Sequence, residues 1–246
     1  MKLWSPFSFK ALKRWWPSHN EWSLLVAIVL AIFLTALVDT NHTYFFRPLE
    51  SLRDIARNSA MLGIFSLGAA VVIIAGGIDL SSGSMIALSG TVCSVTMLAL
   101  APTEMMAFKP VGSVVVLIAV LASLMTGFFV GTLHTWLITV VRLPPFIATL
   151  ATLVGLRSFA RALCESSTAV LTPTKSALIN VADPAFKVVR DNVWFSVVTF
   201  SVLAFFTWLM LSRTVLGRHL KALGGNEQAA RLAGIHTENV KWFAYC

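Results

Sequence analysis

One acidic side chain lies between two long apolar runs of this sequence. Asp79 occurs in the stretch 75–90, AGGIDLSSGSMIALSG, which is rich in glycine and serine. Glycine permits sharp turns, and serine and aspartate can cap the helix that would start near residue 83. The pattern predicts a break between two helices. The residues of this candidate site are Gly76, Gly77, Asp79, Ser81, Gly83 and Ser84.

Two roles for Asp79 remain open. A carboxylate near the centre of a bilayer costs about 2.5–3.5 kcal/mol on insertion scales, so an acid retained there favours a role in a pathway or a gate. The alternative is an ordinary capped turn at the membrane edge, with the carboxylate in water.

A second polar stretch, GGNEQAARLAGI, covers residues 224–235. Asn226 is a good N-cap, Glu227 suits the positive end of a helix, and Gly234 can end it in a left-handed cap. A helix of about eight residues is not stable alone and needs a surface to pack against. That surface is either its own membrane domain or a soluble partner at the membrane face.

Two features of the apolar runs bear on packing and charge. Arg157 and Arg161 stand four residues apart, so they share one helical face near the predicted end of a run. They either snorkel to the interface or pair with an acidic partner outside the membrane. Gly127 and Gly131, with Ser123 one turn earlier, form a small-residue pattern that permits close helix contact.

Motifs that would indicate an enzyme are missing. The sequence contains no GxxxxGK[ST] phosphate loop, no GxSxG, no HExxH and no kinase motif set. The histidines and the three cysteines have no metal-ligand spacing, and we expect no cofactor and no metal. The net charge of +8 comes from basic residues beside apolar runs, which is typical of membrane flanks rather than of nucleic-acid binding.

Composition predicts an all-α polytopic membrane protein. Of 246 residues 57% are hydrophobic and only 12% charged, about half the charge of a soluble domain. Six runs are long enough to cross a bilayer or nearly so. We expect about six complete transmembrane helices and the start of another, within 22–38, 60–75, 83–101, 111–141, 146–163 and 193–211.

Basic residues in the flanks set the expected orientation. The basic segment 1–21 and the loop 213–241 both fall in the cytoplasm, and the RLPP turn at 142–145 falls on the same side as that loop. The loop 164–192 falls outside. The N-terminus resembles a signal peptide in charge, but no small-x-small cleavage site follows, so a retained first span is favoured. Thr237 can cap one more helix, with Glu238 in its first turn.

These stretches together resemble the inner-membrane permease subunits of bacterial ABC sugar importers of the ribose, xylose and galactose type. The resemblance rests on GGIDLSSGSMIALSG at 76–90, PPFIATLATL at 144–153 and LGRHLKALGGNEQAARLAGI at 216–235, in that order. It covers roughly residue 54 to the end. Domain 22–246 would then be the permease domain, and 213–241 its coupling loop.

The resemblance implies a function in the cell inner membrane. Two permease subunits, alike or different, would pair in the bilayer above two cytoplasmic P-loop ATPase subunits, and a periplasmic binding protein would deliver the sugar. The chain itself would not be an enzyme. The break at 76–84 would lie near the translocation path or form a hinge. The implied ATPase-coupling residues are Gly224, Gly225, Asn226, Glu227, Ala229, Ala230, Arg231 and Gly234.

Members of that family are longer than this chain. The resemblance therefore predicts that the chain is truncated, as a fragment, the product of a split gene or a degenerate copy. The alternative to a transporting permease subunit is then a remnant that does not transport. A secondary transporter is a further alternative. It would need ionisable groups inside the membrane, and Asp79 is the only candidate for such a group in the sequence.

Overall fold

The structure, a computed structural model, describes residues 19–38, 46–173 and 175–246. Every element it describes is a helix, as predicted for an all-α protein. The helices are α1 His19–Val38, α2 Pro48–Ile74, α3 Ser82–Leu100, α4 Pro102–Met106, α5 Ser113–Thr139, α6 Pro145–Leu171, α7 Pro184–Asp191, α8 Val193–Arg213, α9 Val215–Gly225, α10 Glu227–Leu232 and α11 Thr237–Tyr245.

Five of the described helices are long and apolar enough to cross a membrane: α2, α3, α5, α6 and α8. The apolar part of α1, Trp22–Val38, is shorter than these. Large side chains of α8 such as Phe205 and Phe206 are more than half exposed, as expected for a surface that contacts lipid rather than water. The prediction of about six spans is therefore confirmed for five helices, and the sixth predicted span corresponds to the shorter apolar helix α1.

Two of the predicted boundaries are wrong. α2 begins at Pro48 rather than at residue 60, and α6 continues to Leu171 rather than ending at 163. Both extensions carry charged or polar residues that sequence reasoning assigns to loops. In α6 the extension is supported by an ion pair one turn apart, because Arg161 Nε lies 2.8 Å from Glu165 Oε1.

The chain divides into two compact units, Met1–Ile55 and Ala56–Cys246. In the first, the described part contains α1 and the first turns of α2, where Arg47 pairs with Glu50 at 3.3 Å. Residues 1–18 of the predicted basic segment 1–21 lie outside the residues that the structure describes.

In the second unit α3 packs between α5 and α6. Three apolar clusters mark successive levels along the bundle. One includes the C-terminal end of α2 with Leu220 and Leu223 of α9, and we call this the α9 end. A middle cluster contains Leu88, Val130 and Ala160. The third surrounds Met97 and Met105 at the opposite end, the α7 end.

The two ends confirm the relative placement of the loops. The RLPP turn, 142–145, lines the same cleft as Glu227 and Lys241, so it lies at the α9 end together with the loop 213–241. At the α7 end the Asp183 carboxylate accepts a hydrogen bond from Val111 N at 2.9 Å and another from Ala185 N at 2.9 Å. One buried acid therefore joins the segment before α5 to the start of α7.

Candidate functional site

The short helix α10 has the two caps that its sequence predicts. Asn226 Oδ1 accepts a hydrogen bond from Ala229 N at 3.0 Å. At the other end Gly234 adopts a φ of 85°, and Ile235 N donates to Ala230 O at 3.1 Å. That pairing is a Schellman cap. Six helical residues are too few to be stable alone, so α10 depends on its neighbours.

Charged contacts hold α10 against α11. Lys241 Nζ lies 2.6 Å from Glu227 Oε1. Arg231 stands 3.8 Å from Glu227 and 3.6 Å from Glu238, and donates to Thr237 Oγ1 at 3.2 Å. The prediction that Thr237 caps α11 is wrong, because Thr237 is the first residue of the helix and His236 occupies the N-cap position. The two helices therefore form one electrostatically linked pair.

The two faces of α10 differ. Ala230 is buried and packs toward the protein, while the Leu232 side chain is 90% exposed and Gln228 and Ala229 are also exposed. One face of α10 therefore packs on its own domain, as the first interpretation predicts, and the other face is open. Contact with a soluble partner stays a prediction.

A close backbone approach joins α9 to the predicted break. A Cβ on Gly76 would stand 3.2 Å from Gly224 Cα, and a Cβ on Gly224 would overlap Ile74 O. Gly225, the next residue, has open space around it. The end of α9 is therefore held directly against the end of α2 by backbone rather than by side chains.

The break itself spans residues 75–81, between α2 and α3, as predicted. Gly76 adopts a φ of 81° and Gly77 N donates to Val72 O at 2.9 Å, a second Schellman cap. Half-buried Asp79 accepts from Ser81 N at 2.8 Å and from Ser81 Oγ at 2.6 Å.

The predicted serine caps of α3 are wrong in detail. Ser81 occupies the N-cap position but its hydroxyl donates to Asp79 and makes no cap bond. Ser84 Oγ instead donates to Ser81 O at 2.6 Å. Gly83 and Ser84 lie in the first turn of α3 and outside the break. The aspartate, rather than the serines, therefore organises the turn before the helix.

Two buried polar residues near this break were missed at the sequence level. His134 of α5 is fully buried, and its Nε2 lies 2.7 Å from Thr152 Oγ1. Its Nδ1 and Tyr245 Oη have no hydrogen-bond partner among the described residues. The Tyr245 hydroxyl fills the space where a Cβ of Gly77 would be. A histidine inside an apolar run was the signal that could have identified this group.

The small-residue pattern of α5 permits close helix contact, as predicted, at Gly131 but not at Gly127. A Cβ on Gly131 would overlap Tyr245 O, so α11 packs there at backbone distance, while Gly127 has open space around it. Trp242 also contacts Phe128, with ring centroids 5.7 Å apart. α11 therefore lies along α5 and connects the α10 contacts with the residues beside the break.

A cleft of about 460 Å³ lies between the RLPP turn and the α10–α11 pair. Its lining carries both signs of charge, from Arg142 and Arg231 to Glu227 and Glu238. Arg142 has a φ of 62°, a left-handed conformation that non-glycine residues rarely adopt. Across the described ranges no three His, Cys, Asp or Glu side chains gather as a metal site needs.

Arg157 and Arg161 lie on α6, but the helix does not end near them. α6 continues for ten residues beyond Arg161, so the two arginines do not lie at the end of the helix, and their position at the end of the membrane span stays a prediction. Arg161 pairs with Glu165, whereas exposed Arg157 makes no ion pair within the part of the chain that the structure describes.

Comparison with protein families shows to which family the chain belongs. Residues 51–246 match the family model of the branched-chain amino acid transport system permease component. The chain belongs to this family. The match includes the break, α6, α9, α10 and α11, so every candidate site residue lies inside it. Membership and the apolar helices together make this chain a multi-pass protein of the bacterial inner membrane.

Several curated permeases are similar to the chain. The ribose import permease protein RbsC of Escherichia coli K12 is 30% identical over 223 residues, which cover 89% of this chain and 63% of that protein. The galactose/methyl galactoside import permease protein MglC of Haemophilus influenzae is 25% identical over 212 residues, 86% of this chain and 62% of that protein. The autoinducer 2 import system permease protein LsrC of Yersinia pseudotuberculosis is 31% identical over 229 residues, 93% and 58% respectively.

The chain thus spans about 63% of the length of the ribose permease and slightly less of the other two. No solved structure gives a significant match. The family assignment rests on the sequence match.

Proposed function

We propose that this chain is a permease subunit of an ATP-driven importer, carrying a sugar or a related polyhydroxylated solute. The observation that carries the proposal is α10, a helix capped at both ends, held by ion pairs on one side and open on the other, in a chain of this family. The relatives named for ribose, galactose and autoinducer 2 import support the solute class.

In this proposal the α9 end of the bundle faces the cytoplasm, where a separate P-loop ATPase subunit docks on the open face of α10. Leu232 and Gln228 make the first contacts, and the cleft beside the RLPP turn receives a protruding part of the ATPase. The chain carries no phosphate loop of its own, so ATP hydrolysis belongs to that partner.

Movement of α10 then reaches the membrane domain by two connections. The first is the Lys241–Glu227 pair, which links α10 to α11 and through Tyr245 to Gly77. The second is the backbone contact of Gly224 with the end of α2. Both converge on the break that contains Asp79, which acts in this proposal as the hinge beside the translocation path.

A second permease subunit and a periplasmic sugar-binding protein complete the proposed assembly. Apolar exposed surfaces on α5 and α8 supply area for the lipid bilayer and for the second subunit. Nucleic acid has no place in this assembly. The rival functions are a secondary transporter, and a remnant that inserts but does not transport.

The first test is affinity capture from detergent-solubilised native membranes through an N-terminal tag, with mass spectrometry of the bound proteins. A P-loop ATPase in the eluate supports the proposal. A stable chain without any ATPase contradicts it and favours the remnant. Solute uptake that persists without the ATPase but collapses with the proton gradient favours the secondary transporter.

The second test is substitution on α10. Ala230→Arg introduces a large cation at a buried position and is expected to abolish stimulation of the ATPase while membrane insertion persists. Ala233→Arg, at an exposed position three residues on, is the matched control and should insert equally well. Because Ala230→Arg disturbs the packing of α10 on its own domain, retained stimulation in this variant would contradict the proposed coupling through α10.

A further inference from the structure

Two buried polar atoms beside the break have no hydrogen-bond partner anywhere in the described ranges. They are Nδ1 of His134 in α5 and the hydroxyl of Tyr245 at the end of α11. His134 is fully buried, and Tyr245 is only 8% exposed. Both atoms are enclosed by residues that the structure describes. A further segment of chain could contact them only by displacing those residues, so their lack of a partner is a property of this packing.

The two side chains are neighbours. Their ring centroids lie 6.5 Å apart, and the rings meet edge to face at an angle of 65°. α11 passes α5 at backbone distance here, because a Cβ on Gly131 would overlap Tyr245 O. Gly131 lies three residues before His134 and so on the same face of α5. A shift of α11 along α5 therefore changes the distance between the hydroxyl and Nδ1 directly.

The hydroxyl of Tyr245 suits Nδ1 in either tautomer of the neutral histidine. Nε2 lies 2.7 Å from Thr152 Oγ1. That threonine hydroxyl has one proton, which it donates either to Nε2 or to the backbone oxygens of Ala148 and Thr149, each 3.1 Å away. Nδ1 carries a proton in the first case and a lone pair in the second. A tyrosine hydroxyl both donates and accepts, so it can pair with Nδ1 in both cases.

The two unpaired atoms raise the free energy of the described conformation. A buried donor or acceptor without a partner carries the cost of its lost hydration, and a native protein that retains such groups calls for an explanation. One bond between the two atoms would satisfy both. Tyr245 belongs to α11, which the Lys241–Glu227 ion pair joins to α10. The tyrosine is therefore tied to the helix on which the proposed function places the ATPase.

We propose that His134 and Tyr245 form a latch, which is open in the described conformation and closed in the one that the ATPase drives. In the open latch Tyr245 Oη lies against Gly77 at the break. When α10 and α11 move, the hydroxyl leaves Gly77 and bonds to Nδ1, while Nε2 keeps Thr152. Helix shifts of about 1–2 Å are common in switching proteins. This inference rests on the proposed function, since the ATPase supplies the movement.

The first test is infrared spectroscopy of the Tyr245 hydroxyl. The chain has only two tyrosines, so Tyr44→Phe leaves Tyr245 as the single one. This variant is produced with isotope-labelled tyrosine and combined with unlabelled ATPase obtained by capture. The C–O stretching frequency of a tyrosine depends on its hydrogen bonds. We expect the labelled band to shift to that of a hydrogen-bonded hydroxyl when the ATP analogue AMP-PNP is added. A band that does not shift would overturn the latch.

Two histidine variants in the same background identify the acceptor. His134→Gln puts an amide near the position of Nε2, so it keeps a partner for Thr152 and has no polar atom at Nδ1. His134→Asn puts its amide near Nδ1 and loses Thr152. We expect the band shift to disappear in His134→Gln and to persist in His134→Asn. A shift that persists in His134→Gln, or equal loss in both variants, would overturn the bond at Nδ1.

The second measurement is stimulation of the ATPase by the chain. Tyr245→Phe and His134→Gln should each lower it several-fold, and the double variant should fall no further, because both substitutions remove the same bond. Independent structural roles would instead give losses that add as free energies, and such additivity would overturn the latch. Full stimulation in Tyr245→Phe would also overturn it.

The outcome is separable from that of the proposed function. An unsubstituted chain that captures no ATPase overturns the importer and the latch with it. Capture together with an unshifted tyrosine band overturns the latch alone and leaves the importer.

Discussion

Lys241 Nζ lies 2.6 Å from Glu227 Oε1 and joins α11 to the first turn of α10. The lysine side chain is 21% exposed and the glutamate 40%. Because water screens such a pair, its worth to stability is about 0.2–1 kcal/mol at most. The ion pair therefore matters mainly because it fixes the position of α10 relative to α11. It is the shortest of the described ion pairs between these two helices.

Replacing Lys241 separates the contribution of this ion pair to stability from its role in linking α10 to α11. Lys241→Met keeps the length of the side chain and removes the charge, so we expect the melting temperature in detergent to change little. Solute-dependent stimulation of the captured ATPase should fall several-fold, because α10 then moves without α11. Lys221→Met, an exposed lysine of α9, is the control, and equal loss in both variants would show a general effect of charge.

A matched pair of neighbouring glycines tests the contact of α9 with the break. Gly224→Ala places a methyl group on Ile74 O, whereas Gly225→Ala meets open space. We expect Gly224→Ala to cost at least about 1–3 kcal/mol, the usual penalty for overpacking, and Gly225→Ala to be nearly neutral. Thermal unfolding of the detergent-solubilised chains measures the difference. Similar melting temperatures for both variants would mean that α9 does not sit against α2.

The cap of α10 gives a local prediction. Asn226→Ala removes the acceptor of Ala229 N, and loss of an N-cap typically costs about 1 kcal/mol. Since α10 has only six residues, the effect should appear as faster amide hydrogen exchange at 227–233 rather than as global unfolding. Asn226→Ser, which keeps a capping oxygen, should restore slow exchange. Unchanged exchange in Asn226→Ala would contradict the observed cap.

The buried hydroxyl of Tyr245 predicts that its removal leaves the protein at least as stable as before. A buried polar group without a partner costs about 1–3 kcal/mol, and Tyr245 Oη has none among the described residues. Tyr245→Phe should therefore leave thermal stability unchanged or raise it. Thr152→Val should lower it, because it removes the hydroxyl bonded to His134 Nε2. A marked loss of stability in Tyr245→Phe would reveal a partner for the hydroxyl.

Much of the architecture follows from local physics. Asn226 and Gly234 predict both ends of α10 because capping depends on the residue itself and its immediate neighbours. Apolar runs likewise predict the spans. The errors occur where a helix continues through charged residues, as α6 does past Arg161, since a pair four residues apart supports a helix that hydropathy alone assigns to a loop.

The contacts between distant segments could not be predicted in this way. Nothing in the local sequence indicates that Tyr245 reaches Gly77 or that Lys241 finds Glu227, because these pairings depend on how α11 packs along α5. The same holds for His134, a residue that the sequence presents as one histidine among five. Sequence motifs predict the candidate residues, and the structure supplies the connections between them.

The bridging carboxylate of Asp183 has a consequence for how the protein is made. It accepts the backbone amide of Val111, which is synthesised 72 residues earlier. A buried amide needs an acceptor, so this one must remain hydrated at the membrane surface while α5 and α6 are inserted. The α7 end of the bundle therefore closes only after residue 183 has left the ribosome and has reached the same side of the membrane as Val111.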